Sequence, residues 1–399
     1  MPKATLRDIA LRGKRLFVRV DFNVPLSKSG EVTDDTRIRA VLPTLTYALQ
    51  EGASVILASH LGRPRGKVDP TYSLRPVAAR VQDLLGKPVR LAADCVGADT
   101  EALARALAPG EVLLLENLRF HAEEEANDPA FAQALARLGE VYVNDAFGAA
   151  HRAHASTAGM AAYLQPAVAG LLMEQEITYL SKVTDHPEQP LVAILGGAKV
   201  SDKIPLIMHL LDKVSALLIG GGMAYTLLQV QGYPVGDSLV EPDCLSMARD
   251  ILAKASECRV QCLLPRDHVI AQDLKADALT RVVADEGIPA GWKGLDIGMP
   301  TVMRFREVLR TARTVVWNGP MGVFEMPPFR QGTVEMARAV AACTGTTVVG
   351  GGDTIAALAL TDCSQAMTHI STGGGASLEF LEGQSLPGIV CLDERQSTD

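Results

Sequence analysis

Short apolar runs rich in Val, Ile and Leu alternate with longer segments of helical period from one end of this chain to the other. Strands joined by crossover helices are written this way, and the sheets they build are parallel. In the first half the runs lie near Leu16–Asp21, Ser54–Ser59, Val112–Leu115 and Val141–Asn144. In the second half they lie near Leu191–Leu195, Ala216–Ile219, Cys262–Leu264, Thr314–Trp317, Thr347–Val349 and His369–Ser371. They lack apolar/polar alternation, as strands covered on both faces do. At 399 residues the chain has room for two domains. The expected fold is α/β: two doubly wound, Rossmann-like domains with parallel sheets, separated by a cleft. The stretch from Met173 to Lys182 is a good helix former ended by Asp185-His186-Pro187. It is expected to act as a hinge helix over 173–187, between a domain at 1–172 and another at 188–384.

Several function classes are excluded early. The longest uncharged runs, Val214–Val230 and Thr157–Met173, are broken by Gly220-Gly221-Gly222 and by Gln165-Pro166, so no membrane span is expected. Met1-Pro2-Lys3 opens a polar segment without an apolar signal core, which suggests a cytoplasmic protein. The seven cysteines are scattered, without Cys-x-x-Cys, and read as reduced, buried thiols. The net charge is -8, yet residues 1–90 carry 16 basic and 8 acidic side chains. A basic first part on an acidic protein argues against nucleic acid as a partner and favours a local site for a small anion.

In open parallel sheets, ligands bind just beyond the carboxyl ends of the strands. The first-half strands run into Asp21-Phe22-Asn23, then His60-Leu61-Gly62-Arg63-Pro64, Glu116-Asn117-Leu118-Arg119-Phe120, and Asn144-Asp145 followed by His151-Arg152. Three of the four deliver an arginine, and Arg37 follows the first. The planar guanidinium fork suits phosphate and carboxylate. The second-half strands end in glycine instead: Gly196-Gly197-Ala198-Lys199, Gly220-Gly221-Gly222, Asn318-Gly319-Pro320, Gly350-Gly351-Gly352-Asp353-Thr354 and Gly373-Gly374-Gly375. Glycine admits close backbone approach, and a following helix aims free N–H groups at an anion, so a nucleotide phosphate site is expected.

Known fingerprints are absent. There is no G-x-x-x-x-G-K-[ST] loop, and Gly220-Gly221-Gly222-Met223-Ala224-Tyr225 places Tyr where G-x-G-x-x-G needs glycine. If a helix starts by Lys199, Lys199 and Lys203 lie on one face of its first turn, where a bound polyphosphate would offset their repulsion. Asp353 could cap a helix or hold Mg²⁺ beside a triphosphate. The histidines show no transition-metal spacing, so no such site is expected.

Val20-Asp21-Phe22-Asn23-Val24-Pro25, Ser59 to Pro64, Glu116 to Phe120, Asp145 to His154, Gly196 to Lys203, Trp317 to Glu325, Gly350 to Thr354 and Ser371 to Ser377 together resemble the phosphoglycerate kinase family in its bacterial form. The resemblance covers nearly the whole chain, in order. It implies reversible phosphoryl transfer from 1,3-bisphosphoglycerate to ADP, giving 3-phosphoglycerate and ATP, with Mg²⁺, in a monomer. It implies that the acid meets Asp21, Phe22, Asn23, Arg37, His60, Leu61, Gly62, Arg63, Arg119 and Arg152 on the first domain. It implies that the nucleotide meets Lys199, Lys203, Gly220, Gly221, Gly222, Gly298, Asn318, Glu325, Gly351, Gly352, Asp353 and Thr354 on the second, with Asp353 as metal ligand. It also implies that the extreme C-terminus, about 385–399, returns to the first domain. Two places depart from the family pattern: Gly298-Met299-Pro300 on the adenine side, and Met326-Pro327-Pro328 after Glu325.

A carboxylate acceptor is already ionised at neutral pH and needs no general base. Catalysis must then be positioning and electrostatic stabilisation after domain closure. The parts for it are Arg37 on one side, with Lys199, Lys203 and the Gly374 amide region on the other. Another ATP-dependent phosphotransferase with a carboxylate acceptor remains open. A nicotinamide dehydrogenase lacks its glycine fingerprint, and a two-domain binding protein leaves the lysine pair and Asp353 unexplained.

Overall fold

The computed structural model of the chain describes residues 2–185, 187–284 and 286–396. Of the expectations above, those touching His186 and the last residues, 397–399, lie outside the described residues. The chain divides into two compact units, Met1–Ile177 with Ser385–Asp399, and Thr178–Gln384.

The strands of the first unit are β1 (Arg15–Arg19), β2 (Ser54–Ala58), β3 (Val89–Leu91), β4 (Val112–Leu114), β5 (Val141–Asn144) and β6 (Ala167–Ala169). They form one sheet in the order β3-β4-β2-β1-β5-β6, and every pairing is parallel. β2, β4 and β5 are buried at every residue, which is why their sequences are continuous apolar runs. Each fully buried Val, Leu or Ile contributes about 1.5–3 kcal/mol, and Val18, Val55, Leu57, Leu114 and Val143 meet Ile38, Leu45, Val77 and Val81 from the covering helices in one core. The chain steps outward from β1 to β2, then begins again at β5 on β1's other side, so the topological switch lies between β1 and β5.

The second unit holds β7 (Leu191–Leu195), β8 (Ala216–Ile219), β9 (Gln261–Leu263), β10 (His268–Ala271), β11 (Arg281–Val283), β12 (Lys293–Ile297), β13 (Thr314–Asn318), β14 (Thr346–Gly350) and β15 (His369–Ile370). Its main sheet runs β15-β14-β13-β7-β8-β9 and is parallel throughout. The switch here lies between β7 and β13. A small antiparallel sheet, β11-β10-β12, adds to it, an element the apolar runs gave no reason to expect.

Helix Leu171–Thr184 runs across the division between the units. At its start Leu171 N–H donates to Thr44 Oγ1 at 3.0 Å and Met173 N–H to Asp145 Oδ1 at 3.0 Å. Asp145 is fully buried. Burial pushes its carboxyl up to about 7, against the pull of hydrogen bonds from Thr44, Met173 and Leu172. The folded state therefore holds this proton more tightly than the unfolded chain does. Stability from this group rises as pH falls through 7 and levels off below the unfolded pKa near 4. Relative to Asp145→Asn, the parent should gain about 1 kcal/mol of unfolding free energy between pH 8 and pH 6. Parallel pH profiles of the two proteins in thermal unfolding would contradict this.

The end of the chain completes the first unit. Ala4 N–H donates to Asp393 O at 2.8 Å, Asp393 N–H to Ala167 O at 2.8 Å and Arg395 N–H to Pro2 O at 2.8 Å. Lys3 and Glu394 pair at 2.6 Å.

Candidate active site

In the first unit, side chains from four strand ends gather at the β1/β5 switch. The deepest is Arg19, the last residue of β1 and only 1% exposed. Its Nε donates to Ser156 Oγ at 2.7 Å, its Nη1 to Val20 O, and its Nη2 to His60 Nδ1 at 3.2 Å. Ser156 in turn donates to Glu124 through N–H at 2.9 Å and Oγ–H at 2.5 Å. Glu124 is fully buried. Burial raises its pKa, while Arg19 and the Ser156 hydrogen bonds hold it down.

This network fixes His60. A guanidinium only donates, so Nδ1 must accept, and the ring proton sits on Nε2. Burial first, then the charges of Arg19, Arg119 and Arg37, hold the imidazole pKa well below its usual value. His60 is thus a neutral donor at physiological pH. His154 is held at about 4 by burial and by Arg119, Arg19 and Arg152. Among the described residues neither ring hydrogen-bonds to a carboxylate, His154 Nδ1 lying 3.9 Å from Glu124 Oε1.

Around this layer stand the expected arginines. Arg37 uses Nη1 to reach Asp21 Oδ2 at 3.1 Å and Asn23 O at 3.1 Å. Asn23 Oδ1 accepts the Gly62 N–H at 2.9 Å. Arg119 is buried, with Nη1 donating to Gly62 O at 2.9 Å and Nε 3.3 Å from Glu125 Oε1. Arg152 Nε donates to His151 Nε2 at 3.2 Å. Arg63 is exposed. Asp21, Asn23, Arg37, Gly62 and Arg119 are therefore linked in one local set, while His60 is held by the buried Arg19.

Phe22 and Leu61 turn inward. Both side chains are in the core. Phe22 N–H is bound to Ser59 Oγ at 2.9 Å, and its carbonyl accepts from Val24. Leu61 exchanges two hydrogen bonds with the Asn117 side chain. With their side chains buried, any contact that either residue makes with a ligand would come through its backbone.

In the second unit, the β7/β13 switch is a close approach of glycines. A Cβ on Gly196 would lie 2.1 Å from Pro320 O, and one on Gly319 would lie 2.2 Å from Gly196 O. Beside it is a cavity of about 490 Å³ lined by Gly197, Ala198, Gly221, Gly222, Leu239, Gly294, Leu295, Pro320, Val323, Glu325 and Asp353, among others. Lys203 donates from Nζ to Asn318 Oδ1 at the end of β13. Burial lowers the lysine pKa, and Asp202, Glu382 and Asp353 pull it back up. Asn318 Nδ2 is buried without a partner. Thr354 Oγ1 accepts the Gly319 N–H at 2.7 Å, which ties the start of the helix after β14 to the switch.

The lysine pair is arranged otherwise than an i, i+4 helical reading supposes. A 3₁₀ turn covers Ser201–Lys203 and the α-helix begins only at Ile204. Glu241 stops the helix from reaching back to Lys199. Its carboxylate accepts Val200 N–H at 2.6 Å, Ser201 N–H at 3.1 Å and Ser201 Oγ–H at 2.6 Å. Lys199 is therefore an exposed loop residue, and Lys203 alone is packed inward.

Gly298 also stands apart from the cavity. It precedes helix Met299–Leu309, and a Cβ there would strike Asp267 Oδ2 at 1.7 Å. The cavity takes Gly294 from the other end of β12, where a Cβ would strike the Tyr225 hydroxyl at 2.0 Å. Gly220 lies behind the wall against Met321. Gly351 caps the helix Gly352–Leu358 that follows β14, Gly352 is that helix's first residue, and Gly374 precedes helix Gly375–Leu381.

Sequence reasoning passed over Arg19, Glu124 and Ser156. The available signal was a charged residue closing an apolar run at a central strand's carboxyl end. It also passed over Leu239 and Leu274, half-exposed leucines at the cavity. No local pattern distinguishes these from ordinary surface leucines.

Fixed positive charge for an acid on one α/β unit, and a glycine-walled cavity with an inward lysine on another, define a small-molecule kinase of two-unit architecture. A family model described as phosphoglycerate kinase matches residues 6–384. A phosphoglycerate kinase of Moorella thermoacetica is 60% identical over 395 residues, covering 99% of this chain and 100% of the relative. One of Synechococcus elongatus is 56% identical over 400 residues, covering 99% and 100%. The solved structure of phosphoglycerate kinase from Coxiella burnetii aligns with a TM-score of 0.90 at 42% identity, covering 98% of each chain. That of Pyrococcus horikoshii aligns with 0.82 at 33%, also covering 98% of each. The chain belongs to the phosphoglycerate kinase family, and is a glycolytic kinase that uses a carboxyl group as phosphoryl acceptor. The family uses ATP and ADP, and among the described residues no helix is long and apolar enough to cross a membrane.

Proposed function

We propose that the first unit binds 3-phosphoglycerate or 1,3-bisphosphoglycerate through Asp21, Asn23, Arg37, His60, Arg63, Arg119 and Arg152. The second unit binds ATP or ADP, with its base and ribose in the cavity between Gly294-Leu295, Val323 and Glu325. Its phosphates reach toward Lys203, Lys199, Asn318 and the Gly351–Thr354 segment that opens the helix after β14. The observation that carries this reading is Lys203 seated on Asn318 at the switch point, beside the glycine-walled cavity. Parallel α/β sheets place their ligands there.

Mg²⁺ fits this site. Asp353 offers a hard carboxylate oxygen at the cavity, and the orphaned Asn318 Nδ2 offers a donor for a phosphate oxygen. Bound there with the nucleotide, Mg²⁺ would neutralise phosphate charge. The residues do the rest. The acid's carboxylate oxygen attacks the terminal phosphorus of ATP directly, since it carries no proton to remove, and the bond from that phosphorus to its bridging oxygen breaks as ADP leaves. Arg37 and Lys203 meet negative charge as it spreads over the transferring group's oxygens. His60, neutral and fixed in one tautomer, donates from Nε2 without changing charge.

A coupled assay with 3-phosphoglycerate and Mg-ATP tests the reading, and turnover on other carboxylic acids but not this one would overturn it. In the same assay Arg63→Ala should raise KM for 3-phosphoglycerate about 10–100-fold with kcat nearly kept. An exposed guanidinium supplies charge-assisted hydrogen bonds alike in ground and transition states. A selective loss of kcat would reassign Arg63 to the chemical step.

The two residue sets belong to different units, so turnover requires both to reach one phosphoryl group. We expect closure about the Leu171–Thr184 helix when both substrates are present. Small-angle scattering that is unchanged by the two ligands together would refute closure.

A further inference from the structure

We propose that Asp94, Cys95 and His121 form a three-ligand site for a borderline-soft divalent cation of the Zn²⁺ type, separate from the oxygen-held cation of the reaction. One carboxylate oxygen, the thiol sulfur and one imidazole nitrogen all lie within 4.8 Å of one another. Among the described residues no other trio of His, Cys, Asp or Glu ligand atoms closes as tightly. Tetrahedral zinc, with bonds of about 2.0–2.3 Å, sets its ligand atoms roughly 3.3–3.7 Å apart. The spacing found here brackets that value. One separation, His121 Nε2 to Asp94 Oδ1, is 2.7 Å and has to open by less than an ångström. The Asp94 side chain is 52% exposed and free to make that adjustment.

The three groups come from neighbouring strands. Asp94 and Cys95 lie in the loop after β3, and His121 lies in the turn after β4. The loop is held by Thr100 Oγ1 donating to Asp94 O at 3.1 Å and by Cys95 N–H donating to Asp94 Oδ1 at 2.6 Å. The imidazole rests against the Phe131 ring, centroids 5.1 Å apart. Cys95 is buried beneath, and His121 and Asp94 are progressively more open. That gradient gives a cation a route in and leaves a fourth position for water, the pattern of an open zinc site.

The chemistry selects the cation. The His121 Nε2–H is directed at the Asp94 carboxylate, and the Cys95 thiol, with a proton of its own, lies beside both. A divalent cation replaces these two protons with one centre. The sulfur lone pair forms the metal bond as the thiol proton leaves to solvent, and Nε2 coordinates as its proton moves to Nδ1. A thiolate–imidazole–carboxylate set favours Zn²⁺, Co²⁺ or Cd²⁺ over Mg²⁺ and Ca²⁺. A covalent thiol nucleophile is the poorer reading, because Cys95 is fully buried. The cation would pin the turn that presents Arg119, two residues before His121.

Co²⁺ titration of the metal-free full chain tests the site, with the cation itself as probe. We expect one Co²⁺ per chain, a thiolate-to-cobalt charge-transfer band in the near ultraviolet, and displacement by Zn²⁺. Cys95→Ser should abolish the band, and His121→Asn should weaken Co²⁺ binding at least about tenfold. No charge-transfer band at saturation overturns the proposal, as does an undiminished band in Cys95→Ser. If Cys95→Ser does not fold, Asp94→Ala, at an exposed side chain, decides instead. Affinity lowered about tenfold supports the site, and unchanged affinity refutes it.

Discussion

Lys203→Ala is expected to lower kcat by about 10²–10³-fold and to leave KM for the acid within roughly threefold of the parent. The reason is placement. Its ammonium is packed inward and anchored to Asn318 Oδ1 at the end of the central strand β13. A donor held this way costs no reorganisation when charge develops on the transferring group. Lys199→Ala should cost less, because Lys199 is an exposed residue in a loop. Steady-state kinetics on both variants checks the ranking. Equal losses, or a Lys203 variant that turns over normally, would remove Lys203 from the chemical step.

The second large effect is on stability. Arg19→Met should cost about 3–5 kcal/mol, because it strands Glu124 in the interior without its counter-charge. For a unit of this size that is a Tm lower by roughly 10 °C. Adding Glu124→Gln should recover most of the loss, since a neutral amide can still serve Ser156. A double variant no more stable than the single one would show that Arg19 acts through packing alone. The single variant should also bind the acid more weakly, because His60 loses the donor that fixes its tautomer.

Both predictions rest on residues that were unequally visible in the sequence. Lys203 stood out because it lies four residues beyond Lys199, the lysine that follows a glycine turn at a strand end. Arg19 was hidden inside a run read for its apolar character, although a cation buried at the switch strand is where the charge matters most. The central strands were plain because a strand covered on both faces must be apolar throughout. β3 and β6 were not, since three residues at a sheet edge carry no such requirement; β3 even has Arg90 at its centre. The antiparallel β10–β12 sheet escaped because β11 is largely exposed and β12 is interrupted by Lys293, Gly294 and Asp296. At the nucleotide cavity, the glycine-rich loops were legible. The choice between Gly294 and Gly298 was not, since both glycines are forced by close neighbours, Tyr225 in one case and Asp267 in the other. The helix start after Lys199 depended on Glu241, far along the chain, which no local rule could supply.

The strand-like pairing of Pro2–Ala4 with Asp393–Arg395 bears on the order in which the protein takes shape during synthesis. The stretch Thr178–Gln384 can emerge from the ribosome and close its sheet while the amino-terminal unit still lacks its last partner. That unit is finished only when residues 385–396 have been made and dock beside residues 2–4. Protease sensitivity of nascent chains should therefore persist longer in residues 2–177 than in 178–384.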